Sequence, residues 1–373
     1  MDASTPNSSS RQLGIGVIGC GGIARHAHAN NIARNPRTNL VAVCDIDLDR
    51  AKAFAAEFGD GATAAYGDYQ DLLANPDVDM VCVTTWAAAH AEPVIAAAQA
   101  GKHIMCEKPI AITLADADAM VEAAREAGVK MSMGYQPRFG NMWPRVKEII
   151  DAGLLGEIMG VTIASAGPSS HGVPWFLKKE LSGGGVLIDW GIYTAYTLNW
   201  WLGPVDRVYA TTKTFRKEVM VRGELLTDVD VEDTVAAHLS FASGAMGTWY
   251  SAWAVKANHG GTTIDGREGS LTIQGPTIRV KSTRIADPDY LSGWHEISAV
   301  EPPLVDMHYR KIEHLVDSVL DDTPLLLTGE DGRDALELVL AIYKSAETRQ
   351  PIDLPMAREA LAPEHASASL PAR

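Results

Sequence analysis

A chain of 373 residues exceeds the size at which one hydrophobic core usually stops growing, so the sequence predicts two domains. A net charge of −15 repels polyanions and gives no basic footprint for nucleic acid. Hydrophobic residues make up 46% of the chain, but charge or Gly interrupts every apolar stretch before membrane-spanning length, so no transmembrane helix is expected. The opening stretch, MDASTPNSSSRQ, is polar and Ser-rich; it reads as a disordered tail over 1–12 and not as a signal peptide. Cys20, Cys44, Cys82 and Cys106 each fall at or near the end of a predicted strand, and no pair has C-x-x-C spacing. They read as small buried residues in a reducing, cytoplasmic protein with no metal site.

The chain's organising stretch runs from Leu13 to Asp45. An apolar strand through Ile15 to Ile18 feeds Gly19-Cys20-Gly21-Gly22-Ile23-Ala24, a Gly-x-Gly-x-x-Ala turn that opens a helix. Gly19 permits the tight turn, Gly21 lets the backbone approach a pyrophosphate, and Ala24 keeps helix and sheet close. The helix start at Gly22 and Ile23 offers free N–H groups and a partial positive charge to that group. A second strand, Leu40 to Cys44, ends in Asp45, whose carboxylate is placed to hold a ribose 2′-OH. Strand, turn, helix, strand and terminal Asp, in that order, predict dinucleotide binding.

Further along, helix Asp49 to Phe58, a short strand Thr63 to Tyr66, strand Met80 to Thr84, helix Ala88 to Ala100, strand His103 to Cys106, helix Leu114 to Ala127 and strand Lys130 to Gly134 alternate. That alternation predicts a doubly wound parallel Rossmann sheet over 13–135, with ligands at the carboxyl ends of its strands. From Pro137 the pattern changes. A helix Trp143 to Ala152, strand Ile158 to Ala164 and helix Val186 to Trp201 precede consecutive strands over Val205–Thr214, Thr234–Phe241, Ala245–Trp253, Gly261–Asp265 and Ser270–Gln274. Strands without crossover helices predict an α+β domain on a large, open, mostly antiparallel sheet, spanning 136–360. Helices over Asp306–Leu320 and Asp331–Thr348 close it, and 361–373 reads as a tail.

Two constellations carry chemistry. Glu107-Lys108-Pro109 ends the fifth strand, where the sheet presents residues to cofactor and substrate; Pro109 restricts Lys108 to extended geometry and so aims its ammonium. The second is Gly183-Gly184-Gly185-Val186-Leu187-Ile188-Asp189-Trp190-Gly191-Ile192-Tyr193-Thr194-Ala195-Tyr196. A helix starting near Val186 puts Asp189, Tyr193 and Tyr196 at i, i+4 and i+7 on one face. Its other residues are too apolar all round for a surface helix, so that polar stripe meets something polar.

In order, GVIGCGGIA, VAVCD, TTWAAAH, AGKHIMCEKP, GGGVLIDWGIYTAY, VEDTVAAHLSFASGAMG and TGEDGRDALELVLAIYKSAETRQPIDLP resemble the landmarks of the glucose-fructose oxidoreductase/inositol dehydrogenase (Gfo/Idh/MocA) family over roughly residues 13 to 355. The resemblance implies NAD(P)-dependent oxidation or reduction of sugars, cyclitols and related polyols. It carries Lys108 to a contact with both nicotinamide and the substrate hydroxyl, and Asp189 to the binding of substrate hydroxyls. Tyr193 stands where many members have the catalytic His, as in the branches that use a Tyr for proton transfer. Tyr196 replaces a second Asp of many members, and Thr85-Trp86-Ala87 replaces the usual Thr-Pro-Asn.

On the cofactor side the resemblance places Thr84, Thr85, Trp86, His90, Glu107, Lys108 and Gln136, with Arg50 the one cation near Asp45; a structural role for His90 stays open. The loop Ser165–Lys179 would lie over the site, with His171 and Trp175 as substrate contacts beside Pro174 and Phe176; as core aromatics they would be equally ordinary. The resemblance also suggests a cis Lys108–Pro109 bond.

The resulting expectation is an NAD-dependent sugar or polyol dehydrogenase, with NADP disfavoured by Asp45. Tyr193 acts as the proton-transfer group, with its anion favoured by Lys108, and Asp189 is the competing base. The chain is expected to form a homodimer or homotetramer through the C-terminal sheet. Two other readings remain: a glycosidase that uses bound NAD for transient oxidation at C3, and a non-catalytic dinucleotide sensor, which the presence of Lys108, Asp189 and Tyr193 disfavours.

Overall fold

The computed structural model describes residues 12–169, 173–285, 294–298 and 306–356. Six strands, β1 (Leu13–Ile18), β2 (Thr38–Cys44), β3 (Ala64–Tyr66), β4 (Met80–Val83), β5 (His103–Cys106) and β6 (Met131–Met133), form a wholly parallel sheet in the order 3-2-1-4-5-6. β1 and β4 are buried along their whole length, which is why they read as unbroken apolar runs. The order reverses between β1 and β4, and the crevice outside their carboxyl ends is the ligand position of such sheets.

The second sheet contains β7 (Ile158–Ala166), β8 (Val205–Lys213), β11 (Thr234–Phe241), β12 (Met246–Ala252), β13 (His259–Gly266), β14 (Gly269–Gln274), β15 (Thr277–Ser282), β16 (His295–Ser298) and β17 (Ile352–Asp353). Its order is 16-15-14-13-7-12-11-8-17, antiparallel except where β12 pairs with β7. Between β8 and β11 a separate ribbon is inserted, β9 (Val219–Val221) paired with β10 (Glu224–Leu226). The inserted ribbon and β15 to β17 were not anticipated from sequence, being short or without clear alternation.

One face of the second sheet carries Val161, Ile163, Val208, Leu239, Trp249, Ile264 and Leu271, buried beneath helices Ile192–Leu202 and Gly329–Thr348. Their core is continuous with Val81, Val83 and Ile104 of the first sheet, so both sheets share one apolar interior. The other face of the first sheet is packed by helix Met307–Asp321, whose Ile312, Leu315 and Val316 join Ile15, Val17 and Phe54. The chain therefore returns from the second sheet to cover the first. Burial pushes the Cys20, Cys44 and Cys82 thiols up to about 12, and all four cysteines are free and buried. No helix among the described residues is long and apolar enough to cross a membrane.

Candidate active site

The glycine turn has the geometry that its sequence requires. Gly19 sits at φ 96°, and a Cβ there would strike the backbone of Thr84 and Thr85. Around Gly21 and Gly22, by contrast, the space that a Cβ would enter is open, leaving a bare backbone cradle at the start of the helix. Asp45 is buried beside it: Oδ2 accepts from Cys20 N at 2.9 Å and Oδ1 accepts from Asp47 N at 3.0 Å. Arg50 donates to Oδ1 at 2.9 Å and also reaches Asp47. A carboxylate offers about four acceptor positions, so room remains for a ribose hydroxyl. Ile23 stays exposed at the mouth of the turn. Open backbone, helix start and terminal carboxylate fit a dinucleotide.

The neighbouring strand ends are tied to this turn. Thr84 Oγ1 donates to the Gly19 carbonyl at 2.6 Å, and Thr85 Oγ1 to the Ala89 carbonyl at 3.0 Å. Trp86 is half-buried and leads into a short 3-10 turn, Ala87–Ala89. His90 is buried, with Nδ1 2.8 Å from the Pro109 carbonyl and Nε2 3.1 Å from the Thr85 carbonyl. Burial lowers its pKa, while the Pro109 and Thr85 carbonyls pull it up, and the ring sits between the Lys108–Pro109 turn and the fourth strand's end. The Lys108–Pro109 peptide is cis.

Lys108 projects from that turn onto the helix carrying the second constellation. Its Nζ donates to Asp189 Oδ1 at 2.6 Å and to the Asp189 carbonyl at 2.9 Å, and lies 4.9 Å from the centre of the Tyr193 ring. Asp189 belongs to a widened π-turn, Leu187–Gly191, that precedes the regular helix Ile192–Leu202. Single π-turns recur at functional sites, where the local ladder is opened; here the lysine reaches a main-chain carbonyl as well as a side chain. Burial alone would depress the Lys108 pKa, but Tyr193 and Asp189 outweigh it and raise it above its ordinary value.

Tyr193 differs from expectation in one respect. Its hydroxyl donates to Gln136 Oε1 at 2.8 Å instead of meeting the ammonium, which sits over the ring face. Burial pushes its pKa up to about 12, and Lys108 only partly offsets this. The resting residue is a phenol, not a phenolate. Gln136, expected on the cofactor side, is thus buried with its carbonyl committed to Tyr193. Tyr196 turns into the core, stacked on Tyr135 with ring centres 5.0 Å apart, and makes no hydrogen bond to Lys108 or Asp189. Trp175 stacks on Phe176 at 4.1 Å in the turn Pro174–Leu177. His171 lies outside the described residues.

Several supporting groups were not singled out in the sequence. Glu232 is a buried carboxylate that accepts from Gly185 N at 2.8 Å, Leu187 N at 2.9 Å and the Tyr343 hydroxyl at 2.9 Å. It satisfies N–H groups at the start of the Asp189 helix that no intrahelical partner can reach. The glycines before that helix have a steric reason as well: a Cβ on Gly185 would collide with the Glu232 backbone, and one on Gly184 with Tyr343. Glu107, which the resemblance places on the cofactor side, instead turns its buried carboxylate under the sheet to His28 and Lys311, neither of which was singled out.

A dinucleotide cradle at the switch point of a 3-2-1-4-5-6 sheet, facing a lysine, a carboxylate and a phenol, defines a nicotinamide-dependent oxidoreductase. Comparison with known proteins agrees. Residues 13–135 match the oxidoreductase family with NAD-binding Rossmann fold, and residues 143–272 match the GFO/IDH/MocA C-terminal domain. The chain is 30% identical over 342 residues to myo-inositol 2-dehydrogenase of Thermotoga maritima, covering 91% of this chain and 98% of that one. It is 28% identical over 367 residues to D-glucoside 3-dehydrogenase of Escherichia coli, covering 93% and 99%. The crystal structure of the WlbA dehydrogenase from Bordetella pertussis in complex with NADH and UDP-GlcNAcA matches with a TM-score of 0.77 at 28% identity, covering 93% of this chain and 100% of that one. The chain belongs to the Gfo/Idh/MocA family of NAD(P)-dependent sugar oxidoreductases.

Proposed function

We propose that this protein is an NAD-dependent dehydrogenase acting on a secondary carbinol of a sugar, cyclitol or related polyol. The observation that carries the reading is the Lys108–Asp189 pair at 2.6 Å with Tyr193 beneath the ammonium, at the carboxyl end of the strand next to the dinucleotide crevice. When bound, NAD supplies the hydride acceptor. An ammonium has three donors, and Asp189 takes two of those on Lys108. The third is free to meet the substrate oxygen and stabilise the charge that develops as the carbinol C–H bond breaks.

Asp189 Oδ2 is left to accept a neighbouring substrate hydroxyl, which fixes which carbon faces the cofactor. Tyr193 exchanges the proton of the reacting hydroxyl, as acceptor in oxidation and as donor in reduction. With its pKa at about 12 it is ready as a donor, so the same groups serve carbonyl reduction with no change of protonation state. Support for a sugar-like substrate comes from the relatives: one is named for myo-inositol and one for D-glucoside oxidation. A panel of aldoses, glycosides and cyclitols, each with NAD and followed by NADH absorbance, tests the reading. Formation of product without net NADH would favour a glycosidase with transient oxidation instead.

A further inference from the structure

Beneath the Lys108 turn lies a charged cluster that no substrate can reach. Glu107 Oε1 is 2.8 Å from His28 Nε2 and 2.7 Å from Lys311 Nζ, while Oε2 accepts from the backbone N–H of Lys108 at 3.3 Å. Lys311 and His28 are wholly buried and Glu107 nearly so. The three come from distant parts of the chain: the widened first turn of the cofactor helix (Ala24–Ala29), the end of β5, and the late helix Met307–Asp321. A Cβ on Gly134 would overlap the Glu107 carboxylate, so the sixth strand's end closes the remaining side of this cavity.

A buried carboxylate without a counter-charge is costly, and a lysine with no surface exposure is rare unless paired. The sheet therefore carries an ion pair where apolar residues would pack as well. Lys311 is wholly buried; its Nζ lies 2.7 Å from Glu107 Oε1 and 3.4 Å from His28 Nε2, and its one carboxylate partner among the described residues is the residue that precedes Lys108. We propose that Lys311, assisted by His28, is a positioning residue for Lys108: it holds Glu107 as an anion, and that anion anchors the Lys108 backbone from which the ammonium reaches the substrate oxygen. The proposal rests on the reading of Lys108 given above.

The charged and titratable groups around the cluster are His28, Glu107, Lys311, His308, Cys82 and Cys106, with His90, Lys108 and Tyr193 above it. Burial, then Lys311, pushes His28 down to about 4, so it is neutral above about pH 6. Burial alone would raise the Glu107 pKa, but Lys311 and His28 hold it well below the usual range. Removing the Lys311 cation leaves one uncompensated negative charge, and His28 then takes up a proton, restoring a counter-charge to the Glu107 anion, at a pH where the wild type takes up none.

The test compares wild type, Lys311→Met and the charge-balanced Lys311→Met/Glu107→Gln. Ring 15N shifts of His28 report the proton, the 1H–15N signal of the Lys108 ammonium reports its setting, and kcat is read with NAD and D-glucose or myo-inositol as probes. The expected single variant binds NAD normally, shows a His28 titration near neutral pH, a displaced Lys108 signal and a kcat about 10- to 100-fold lower, the usual cost of a small misplacement. The ratio of variant to wild-type kcat recovers as pH falls, and in the double variant it is independent of pH. An unmoved Lys108 signal with a pH-independent kcat ratio near one in both variants would overturn the proposal and leave Lys311 a purely structural cation. Should the single variant not fold, the double variant's Lys108 signal decides: displaced supports the anchor, unmoved refutes it. If wild type turns over neither probe, the reading of the reaction is what fails, and the Lys108 signal still decides the positioning role.

Discussion

Replacing Tyr193 by Phe isolates the proton-transfer step. The ring is retained, with the Lys108 ammonium 4.9 Å from its centre and Tyr135 edge-on at 5.8 Å, so only the hydroxyl and its 2.8 Å bond to Gln136 are lost. Losing that bond leaves the buried Gln136 carbonyl without its partner, at a cost of about 1–3 kcal/mol, still too little to unfold a domain of this size. The catalytic loss is larger: a general acid–base group contributes about 10²- to 10⁴-fold, or roughly 2.7–5.4 kcal/mol of barrier. Its pH signature follows from a pKa raised to about 12. Oxidation needs the phenolate, so its rate rises about tenfold per pH unit from about pH 6 to about pH 9, whereas reduction needs the phenol and shows no limb from this group there. Stopped-flow NADH absorbance in both directions, for wild type, Tyr193→Phe and Asp189→Asn, reads all of this. The Phe variant should lose the oxidative slope with NAD affinity intact, and Asp189→Asn should raise KM more than Tyr193→Phe does. Near-normal turnover and an unchanged slope in Tyr193→Phe, with turnover abolished in Asp189→Asn, would refute the assignment and make Asp189 the base.

Cofactor choice should follow Asp45: its carboxylate would meet a 2′-phosphate as a like charge, and the half-exposed Arg50 is already paired with that carboxylate, so kcat/KM is expected to be higher with NAD than NADP. Equal or better kinetics with NADP would remove that claim. Glu232→Gln should cost about 1–3 kcal/mol, because an amide that accepts from one of Gly185 N and Leu187 N presents its own N–H to the other; a thermal melt reads this. Burial raises the Glu232 pKa in the fold, so its contribution is greatest below the unfolded value and declines as pH rises through the folded one; the Gln variant should lack that component of the stability profile. The open face of the second sheet, with Met246 and Tyr209 exposed beside small residues such as Thr162, Ala164 and Thr248, is expected to be covered by a second copy, giving at least twice 40.0 kDa in light scattering. A 40.0 kDa particle at micromolar concentration would contradict it.

What was legible in the sequence had local causes. The parallel sheet announced itself because apolar runs such as Met80–Val83 alternate with helices, and the glycine turn because Gly19 and Ala24 do work that few other residues can do. Lys108 stood out by its place at a strand end and Asp189 and Tyr193 by helical spacing, the family resemblance joined them into one site, and the structure brings them together. The same spacing failed for Tyr196, since a stacked partner, Tyr135, comes from a different part of the chain and draws its ring into the core. It also failed for the state of Tyr193: proximity to a cation was visible in the sequence, but the depth of burial that outweighs it was not. Gln136 gave no sequence signal of its own, and only the fold aims its carbonyl at the phenol.

The supports of the site were invisible for a common reason, and it bears on how the site is held. Lys108 comes from the first sheet's strand end, whereas Asp189 and Tyr193 come from a helix packed on the second. Each half is fixed by its own buried carboxylate. Glu107 anchors the Lys108 turn against His28 and Lys311, and Glu232 anchors the start of the Asp189 helix against Tyr343. Glu107 accepts one backbone N–H and Glu232 accepts two, so each sets main-chain position and not merely a side-chain rotamer. The distance that matters, from the Lys108 ammonium to the Asp189 carboxylate, is the difference between two independently anchored backbones. An error in either anchor passes directly into the 2.6 Å contact, because the shared apolar core has no directional preference with which to correct it. Polar anchors are therefore concentrated under the residues whose relative placement the chemistry requires.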